Sequence, residues 1–437
     1  MEKIVVIGGG LAGLSGGFHL QEFEPLIFEK EDRIGGICRS FVQDGFTFDV
    51  TGHLIHLKDP YTRELIDTIL PDTLARMDRK AAIYSKATLT PYPFQANTHG
   101  LPPEVVKECL LGFIDSIGSI PASSDSFEEW ALKTFGTGIA RHFMLPYNEK
   151  FWKTDLSGIT SDWVSWAIPK PSLEEVVNGA LGLTNEGLGY NPSFSYPKSG
   201  GIDCLPNALA APLGGIHTGC RLESIDARNK VVRFAGGHEE TYDYLLTTIP
   251  LPMVYRLLDD PPDDLAEAAG RLRAVSVLDI NLGVDRPNLS EKHWIYFPEG
   301  EFVFSRVGFP ANFSAAVAPE GTSSMYVEIT HAPGDRLDIE QTSQRAVEDL
   351  EKCGILSPGD RILTRHVIDI PCAYVIFDTH RQTHLDKLTR YLESLDIFTA
   401  GRYGKWDYYS MEDSILSGKG AAEGIRKLIR GKRLTSR

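Results

Sequence analysis

The chain has 437 residues, a formal net charge of −15, 42% hydrophobic and 24% charged residues, which is the composition of a soluble globular protein with more than one core. An acidic balance of this size argues against nucleic acid as a partner, because phosphate backbones need a basic surface, although a local arginine cluster can still hold a small anion. No run of about 20 apolar residues is present, so no membrane span is expected, and Cys38, Cys109, Cys204, Cys220, Cys353 and Cys372 form no C-x-x-C pair, which fits reduced thiols in a cytoplasmic protein better than disulfides or zinc.

Lys3 to Ile7 is a β-branched run that predicts a buried strand, and it leads directly into Gly8-Gly9-Gly10-Leu11-Ala12-Gly13 and a small-residue helical segment. Strand, G-x-G-x-x-G and helix in that order are the context of a dinucleotide site. Gly8 permits the turn, Gly10 lets a pyrophosphate approach the backbone, and Gly13 allows close helix–strand packing. The helix start offers unpaired N–H groups to the phosphates. A second strand, Pro25 to Phe28, ends at Glu29, placed to accept ribose hydroxyls, and a carboxylate there disfavours a 2′-phosphate. This glycine-broken N-terminus lacks a basic leader and cleavage site, so no secretion signal is expected.

Further on, Arg63 to Leu70 predicts a helix, Lys80 to Leu89 a strand ending at Pro91-Tyr92-Pro93, and Leu101 to Ile117 another helix. Asp125 or Ser126 reads as the cap of a third, with helical spacing to about Ser165. The Gly/Asn-rich stretch 178–190 is a candidate mobile lid. Gly200-Gly201 precedes a predicted helix at 205–213, followed by short strands at 221–225, 231–234 and 242–247. From Val275 the pattern alternates as in a mixed or antiparallel sheet, through residues 278–284, 293–298, 301–307 and 324–330. A last strand at 397–399 and a glycine-rich helix at 417–425 close the chain. The fold class is α/β.

Arg33-Ile34-Gly35-Gly36, then Arg39-Ser40, follow Glu29 and Lys30 closely, a second glycine pair that nicotinamide-only dehydrogenases do not need. This segment resembles flavoproteins of the amine oxidase and protoporphyrinogen oxidase superfamily. The resemblance implies FAD, with Gly8, Gly10, Gly13, Glu29, Lys30, Gly35, Gly36 and Arg39 at the cofactor. It also implies a discontinuous Rossmann-type FAD domain (1–75, 195–255, 395–437), an inserted helical domain (96–192) and a substrate-facing sheet domain (76–95, 256–394).

Four more stretches narrow the resemblance: Tyr92-Pro93-Phe94-Gln95-Ala96-Asn97; Phe127 to Trp152; Trp294 to Glu299 with Phe304-Ser305-Arg306; and Gly401-Arg402-Tyr403-Gly404-Lys405-Trp406 with Tyr408 and Met411-Glu412-Asp413. In this order they look like the UDP-galactopyranose mutase family, particularly its eukaryotic-type branch. That implies interconversion of pyranose and furanose forms of a nucleotide sugar, in which N5 of reduced FAD attacks the anomeric carbon and displaces UDP. Carried over by motif, Tyr92, Phe94, Gln95 and Asn97 surround the base, since an aromatic face stacks while an amide reads an edge. Asn148, Trp152 and Trp294 line the same site. Arg306 with Tyr296, Tyr374 and Tyr408 serves the diphosphate, where a guanidinium fork suits paired phosphate oxygens.

Gly52 and His53 match the family's pair beside the flavin ring, with His53 as a support for the reduced cofactor. Gly401, Arg402, Met411 and Ser414 match its C-terminal flavin segment, and the helix around Lys419-Gly420-Ala421-Ala422 is expected to aim its N-terminus at the flavin. A second diphosphate arginine is missing from its expected position, Ser195, and Lys198 is the candidate substitute cation. That departure keeps two rivals in view: a true oxidase or desaturase of the same superfamily, and a binding protein without turnover. No G-x-S-x-G supports a serine hydrolase, and no His/Cys/Asp spacing supports a metal. The resemblance leaves a homo-oligomer open.

Overall fold

The computed structural model describes residues 2–122, 125–164, 168–183 and 192–435. Its first layer is a parallel sheet whose strands run in the order Ile397–Thr399, Tyr244–Thr247, Ile4–Ile7, Leu26–Phe28, Ile216–His217. Ile4–Ile7 is buried on both faces, which is why it reads as an unbroken apolar run rather than an alternating one. The helix Leu11–Phe18 and the closing helix Met411–Thr435 cover one face and cross each other tightly. At that crossing a Cβ on Gly418 would sit 2.2 Å from the Ala12 carbonyl oxygen, so the glycine is a packing requirement there and not a helix end.

A second, seven-stranded sheet has the order Ile362–Val375, Ala274–Val284, Ser323–His331, Arg306–Gly308, Trp294–Tyr296, Ala81–Ser85, Thr88–Pro91. Alternation gives its two faces different chemistry. Leu278, Ile280, Leu282, Ile295, Val307, Val327 and Ile329 form one apolar face, packed with Ala346 and Leu350 of the helix Ile339–Lys352. The register sets Ile368, Asp279, Glu328, Arg306, Tyr296 and Ile83 in one row across the other face. Asn281 and Tyr326 form the adjacent pair on that face. The helices Pro103–Ser116 and Phe127–Ile139 pack as a pair beside this sheet.

Several boundaries differ from the sequence reading, for identifiable reasons. The helix expected at 63–70 begins at Pro60, because Asp59 accepts the Tyr61 N–H as a cap and proline suits the first turn. The strand expected over 80–89 is two strands of a hairpin, Ala81–Ser85 and Thr88–Pro91. Ser126 is the cap of its helix, in a reciprocal capping box with Glu129. The closing helix begins at Met411, where Ser410 and Asp413 make the same exchange, so Lys419 lies inside the helix and its neighbourhood presents no N-terminus. Ile362–Val375 and the helices Ile339–Lys352 and Arg381–Ser394 were not anticipated. Of the candidate lid, Asn178–Leu181 ends the helix Leu173–Leu181, and residues 184–190 lie outside the described residues.

Candidate active site

The glycine turn after Ile4–Ile7 forms one end of the candidate site. Gly8 has φ +103°, and a Cβ on Gly13 would fall 1.9 Å from the Gly8 carbonyl oxygen. Gly10 pairs with Gly35, and Gly36 packs against it at a distance at which a Cβ would meet the Gly10 Cα at 3.2 Å. Backbone lies bare on both sides of this turn, as close approach of a pyrophosphate requires. Glu29 is buried and fixed by the Gly9 N–H to its Oε2 (2.7 Å) and the Glu31 N–H to its Oε1 (3.0 Å). Arg39 has a buried Nε with no protein partner. Lys30 instead lies on the surface, beside Glu31. Gly401 has φ +78° and approaches Ala12 closely, its N–H donating to Ser417 Oγ at 2.9 Å. Met411 meets Cys38 through sulfur (3.7 Å), while Ser414 Oγ bonds back to the Ser410 carbonyl. These glycine cradles and the orphaned Arg39 nitrogen fit FAD.

The middle of the site is the loop Thr51-Gly52-His53, resting on the polar face of the large sheet. A Cβ on Gly52 would lie 2.2 Å from Tyr326 Oη, so only glycine fits above that ring. His53 Nδ1 is buried without a partner. Burial first, then the Arg402 and Arg306 charges, lower the imidazole to about 4, with the nearby Val50 and Thr51 backbone opposing.

The far end is a wall of aromatic rings and guanidinium groups. Arg306 donates from Nε to Glu328 Oε2 (2.8 Å) and from Nη2 to Glu328 Oε1 (2.5 Å), with Tyr374 Oη at 3.5 Å. Burial opposes the charge on Arg306, but Glu328 and the neighbouring tyrosines raise its pKa well above the ordinary value. Arg402 lies over Tyr408 (4.5 Å) and Tyr374 (4.9 Å), donates from Nη1 to the Tyr409 carbonyl (2.9 Å), and keeps a buried Nε unpartnered. Tyr374 stacks on Tyr408 at 5.6 Å and 17°. Tyr296 contacts Tyr92 (5.6 Å) and meets Tyr147 edge-on (5.7 Å).

Of the predicted substrate residues, Tyr92, Tyr296, Arg306, Tyr374 and Tyr408 therefore come together, joined by Arg402. The others are held behind the wall. Phe94 is fully buried and stacked on Phe143. Gln95 donates to the Pro169 carbonyl and Asn97 to the Pro93 carbonyl. Asn148 spans the Met144 carbonyl and the Trp152 indole N–H, and Trp152 is core. Trp294 packs against Phe194.

Lys198 does not supply a second cation to this wall: it is exposed and donates to the Asp72 carbonyl. Ser195 is turned away as well. It pairs with Arg76 and shares a face with Ser193, whereas Phe194 and Tyr196 occupy the opposite face against Phe313. Arg79 lies beyond the same strand pair, its guanidinium 4.5 Å from the Tyr92 ring.

Sequence reading missed Tyr147, Phe151, Glu328, Asp279 and Tyr326. Phe143, Tyr147 and Phe151 stack along one helical face at four-residue spacing, a signal inside a stretch already singled out. Asp279 and Glu328 are each the one carboxylate of a buried strand, and an isolated carboxylate in a buried strand is itself a signal.

A family model described as flavin containing amine oxidoreductase matches residues 11–426. A crystal structure of reduced UDP-galactopyranose mutase superposes with a TM-score of 0.93 at 28% identity, covering 98% of this chain and 94% of that one. Among curated relatives, a zeta-carotene-forming phytoene desaturase of Myxococcus xanthus is 23% identical over 75% of this chain and 71% of its own. A 4,4'-diapolycopene oxygenase of Methylomonas sp is 22% identical over 85% and 86%.

Proposed function

The chain belongs to the flavin-containing amine oxidoreductase family, and from that premise we propose that it is a nucleotide-sugar mutase of the UDP-galactopyranose mutase type. The observation that carries the reading is the wall at the far end of the site: two guanidinium groups, Arg306 and Arg402, set among tyrosines beside the Gly52-His53 loop. Glu328 already matches the charge of Arg306, but Arg402 has no carboxylate partner among the described residues. An apolar substrate gains nothing from such a desolvated cation, whereas a diphosphate neutralises it and meets the remaining N–H groups of Arg306. The likeness to reduced UDP-galactopyranose mutase over nearly the whole chain supports the same reading.

Reduced FAD, when bound, supplies a nucleophilic N5 for displacement of UDP from the anomeric carbon, with no net redox change. The protein's part is binding and orientation. Glu328 holds two N–H groups of Arg306, which leaves the rest of the five-donor fork to meet phosphate oxygens. Tyr296, Tyr374 and Tyr408 add hydroxyl donors without adding a buried charge. Neutral His53 would support its loop when FAD is bound rather than move the main proton.

The test is anaerobic. Holoprotein reduced with dithionite is given UDP-galactopyranose or UDP-galactofuranose, and products are resolved against an oxidised control. Interconversion by the reduced form alone is expected. No turnover of any UDP-hexose by the fully reduced protein overturns the reading, and flavin reduction by a substrate with oxygen uptake moves it to an oxidase or desaturase.

A further inference from the structure

Thr51 is a β-branched residue with φ +62°, a conformation that costs about 1–3 kcal/mol and persists only where surroundings enforce it. One enforcing contact is visible: the Thr51 N–H donates to Asp279 Oδ2 at 2.8 Å. The same oxygen accepts from Asn281 Nδ2 (2.8 Å), while Oδ1 is buried with no partner. Asp279 is fully buried in the middle of the sheet.

Its charged and titratable neighbours come from every side. Glu328 and Tyr326 lie on the adjacent strand Ser323–His331, with Arg306 one strand further. On the other side Ile368 stands opposite, and His366 is turned to Gln43 Oε1 (3.1 Å). His53 lies two residues beyond the hydrogen-bonded Thr51. With Arg306 matched by Glu328, one positive and one negative charge already cancel. Ionised Asp279 would add to this row a second negative charge that no cation of the row matches; Arg402, the site's other guanidinium, stands over Tyr374 and Tyr408. A carboxyl bearing its proton leaves the row neutral and still accepts from Thr51. Burial, with Glu328 nearby, raises this carboxyl to about 8, against the hydrogen bonds from Thr51 and Asn281 and the Arg306 charge.

We infer that Asp279 is a positioning residue whose protonated carboxyl pins Thr51 in its left-handed conformation at the start of the Gly52-His53 loop, and that its ionisation would destabilise a bound reduced cofactor. This rests on the flavin site and on the need for reduced FAD stated above. Reduced flavin carries extra electron density, so the proton on Asp279 binds more tightly in the reduced protein than in the oxidised one. Linkage then requires the midpoint potential to respond to the same proton.

The experiment is the flavin midpoint potential of the holoprotein, measured spectrophotometrically from pH 6 to 9.5, for wild type, Asp279→Asn and Asp279→Ala. Wild type is expected to bend between pH 7 and 9, with one proton taken up per two electrons beyond the flavin's own titration. Asp279→Asn keeps the acceptor for Thr51 and is expected to lose that bend. Asp279→Ala loses both, and its potential at pH 7 is expected to depart from that of the asparagine variant. A wild-type curve without the bend, or parallel curves for wild type and Asp279→Asn, overturns the inference, and the wild-type curve decides it even where the variants do not fold. None of these readings needs a sugar substrate. A reduced protein that turns over UDP-galactose with no Asp279 bend defeats this inference alone, and the bend without turnover defeats only the mutase reading.

Discussion

Glu328 is 2% exposed in its side chain and grips Arg306 through both carboxylate oxygens, so the main candidate phosphate-binding cation is oriented from beneath before any ligand arrives. Replacing one member of such a pair leaves a charge without its partner in a dry site, which costs about 3–5 kcal/mol. Glu328→Gln is therefore expected to lower the unfolding midpoint by several degrees and to weaken UDP binding. Arg306→Lys keeps the charge but loses the fork, and a tenfold or greater rise in the UDP dissociation constant is expected, equivalent to about 1.4 kcal/mol. Calorimetry on both variants checks this; unchanged UDP affinity in Arg306→Lys would place the diphosphate elsewhere.

Ser195 and Arg79 make opposite predictions. Ser195 faces Arg76 and Ser193, away from the tyrosine wall, so Ser195→Arg, although it restores the family residue, is expected to leave UDP affinity within a factor of two. Arg79 lies on the Tyr92 ring, so Arg79→Leu removes a positive charge beside a predicted base-contacting residue. Affinity is expected to fall several-fold at low salt, with a smaller difference at high salt as screening takes over. Titrations at two ionic strengths separate these outcomes.

The sequence made the flavin end of the molecule legible because its constraints are local. Gly8, Gly10, Gly13 and Glu29 lie within one turn and its helix start and at the end of one strand, so local spacing alone sets their positions. The far end depends on register across a seven-stranded sheet, which no local pattern encodes. Tyr296, Arg306, Glu328 and Asp279 share a row only because four strands from separate parts of the chain align there. The same blindness to facing direction made Ser195 read as a lost ligand when its side chain points elsewhere. Ile362–Val375 escaped notice because Pro371 and the charged Arg365 and Asp369 interrupt its apolar pattern.

Gly52 is a sharp test of the loop. Any side chain there overlaps the Tyr326 ring, whose Oη and Cζ would lie 2.2 and 2.7 Å from a Cβ, and that ring is buried in the sheet face. Gly52→Ala must therefore lift the loop, and His53 with it, off the sheet. Loss of bound FAD, or a flavin spectrum shifted from wild type, is expected, with activity reduced at least a hundredfold. A variant with full flavin content and normal activity would show that the loop position is not required.

Asp49 ties the strand Phe46–Asp49 to the chain's return at Tyr196 and Ile202. Its Oδ1 accepts from Ser40 Oγ (2.6 Å) and the Ile202 N–H (3.1 Å), and its Oδ2 from Tyr196 Oη (2.7 Å). Burial outweighs these hydrogen bonds and raises the carboxyl from 3.8 to about 6. The folded state thus holds this proton more tightly than the unfolded chain does. Its contribution to stability is fully present below about pH 4 and is lost as pH rises through 6, a change of the order of 1–3 kcal/mol. Asp49→Asn cannot titrate, so the difference in unfolding free energy between it and wild type should move in its favour from pH 4 to 6.5 and then level off. Denaturant unfolding of holoprotein at four pH values measures that difference; a constant gap would mean that Asp49 is ionised throughout and that its three donors outweigh its burial.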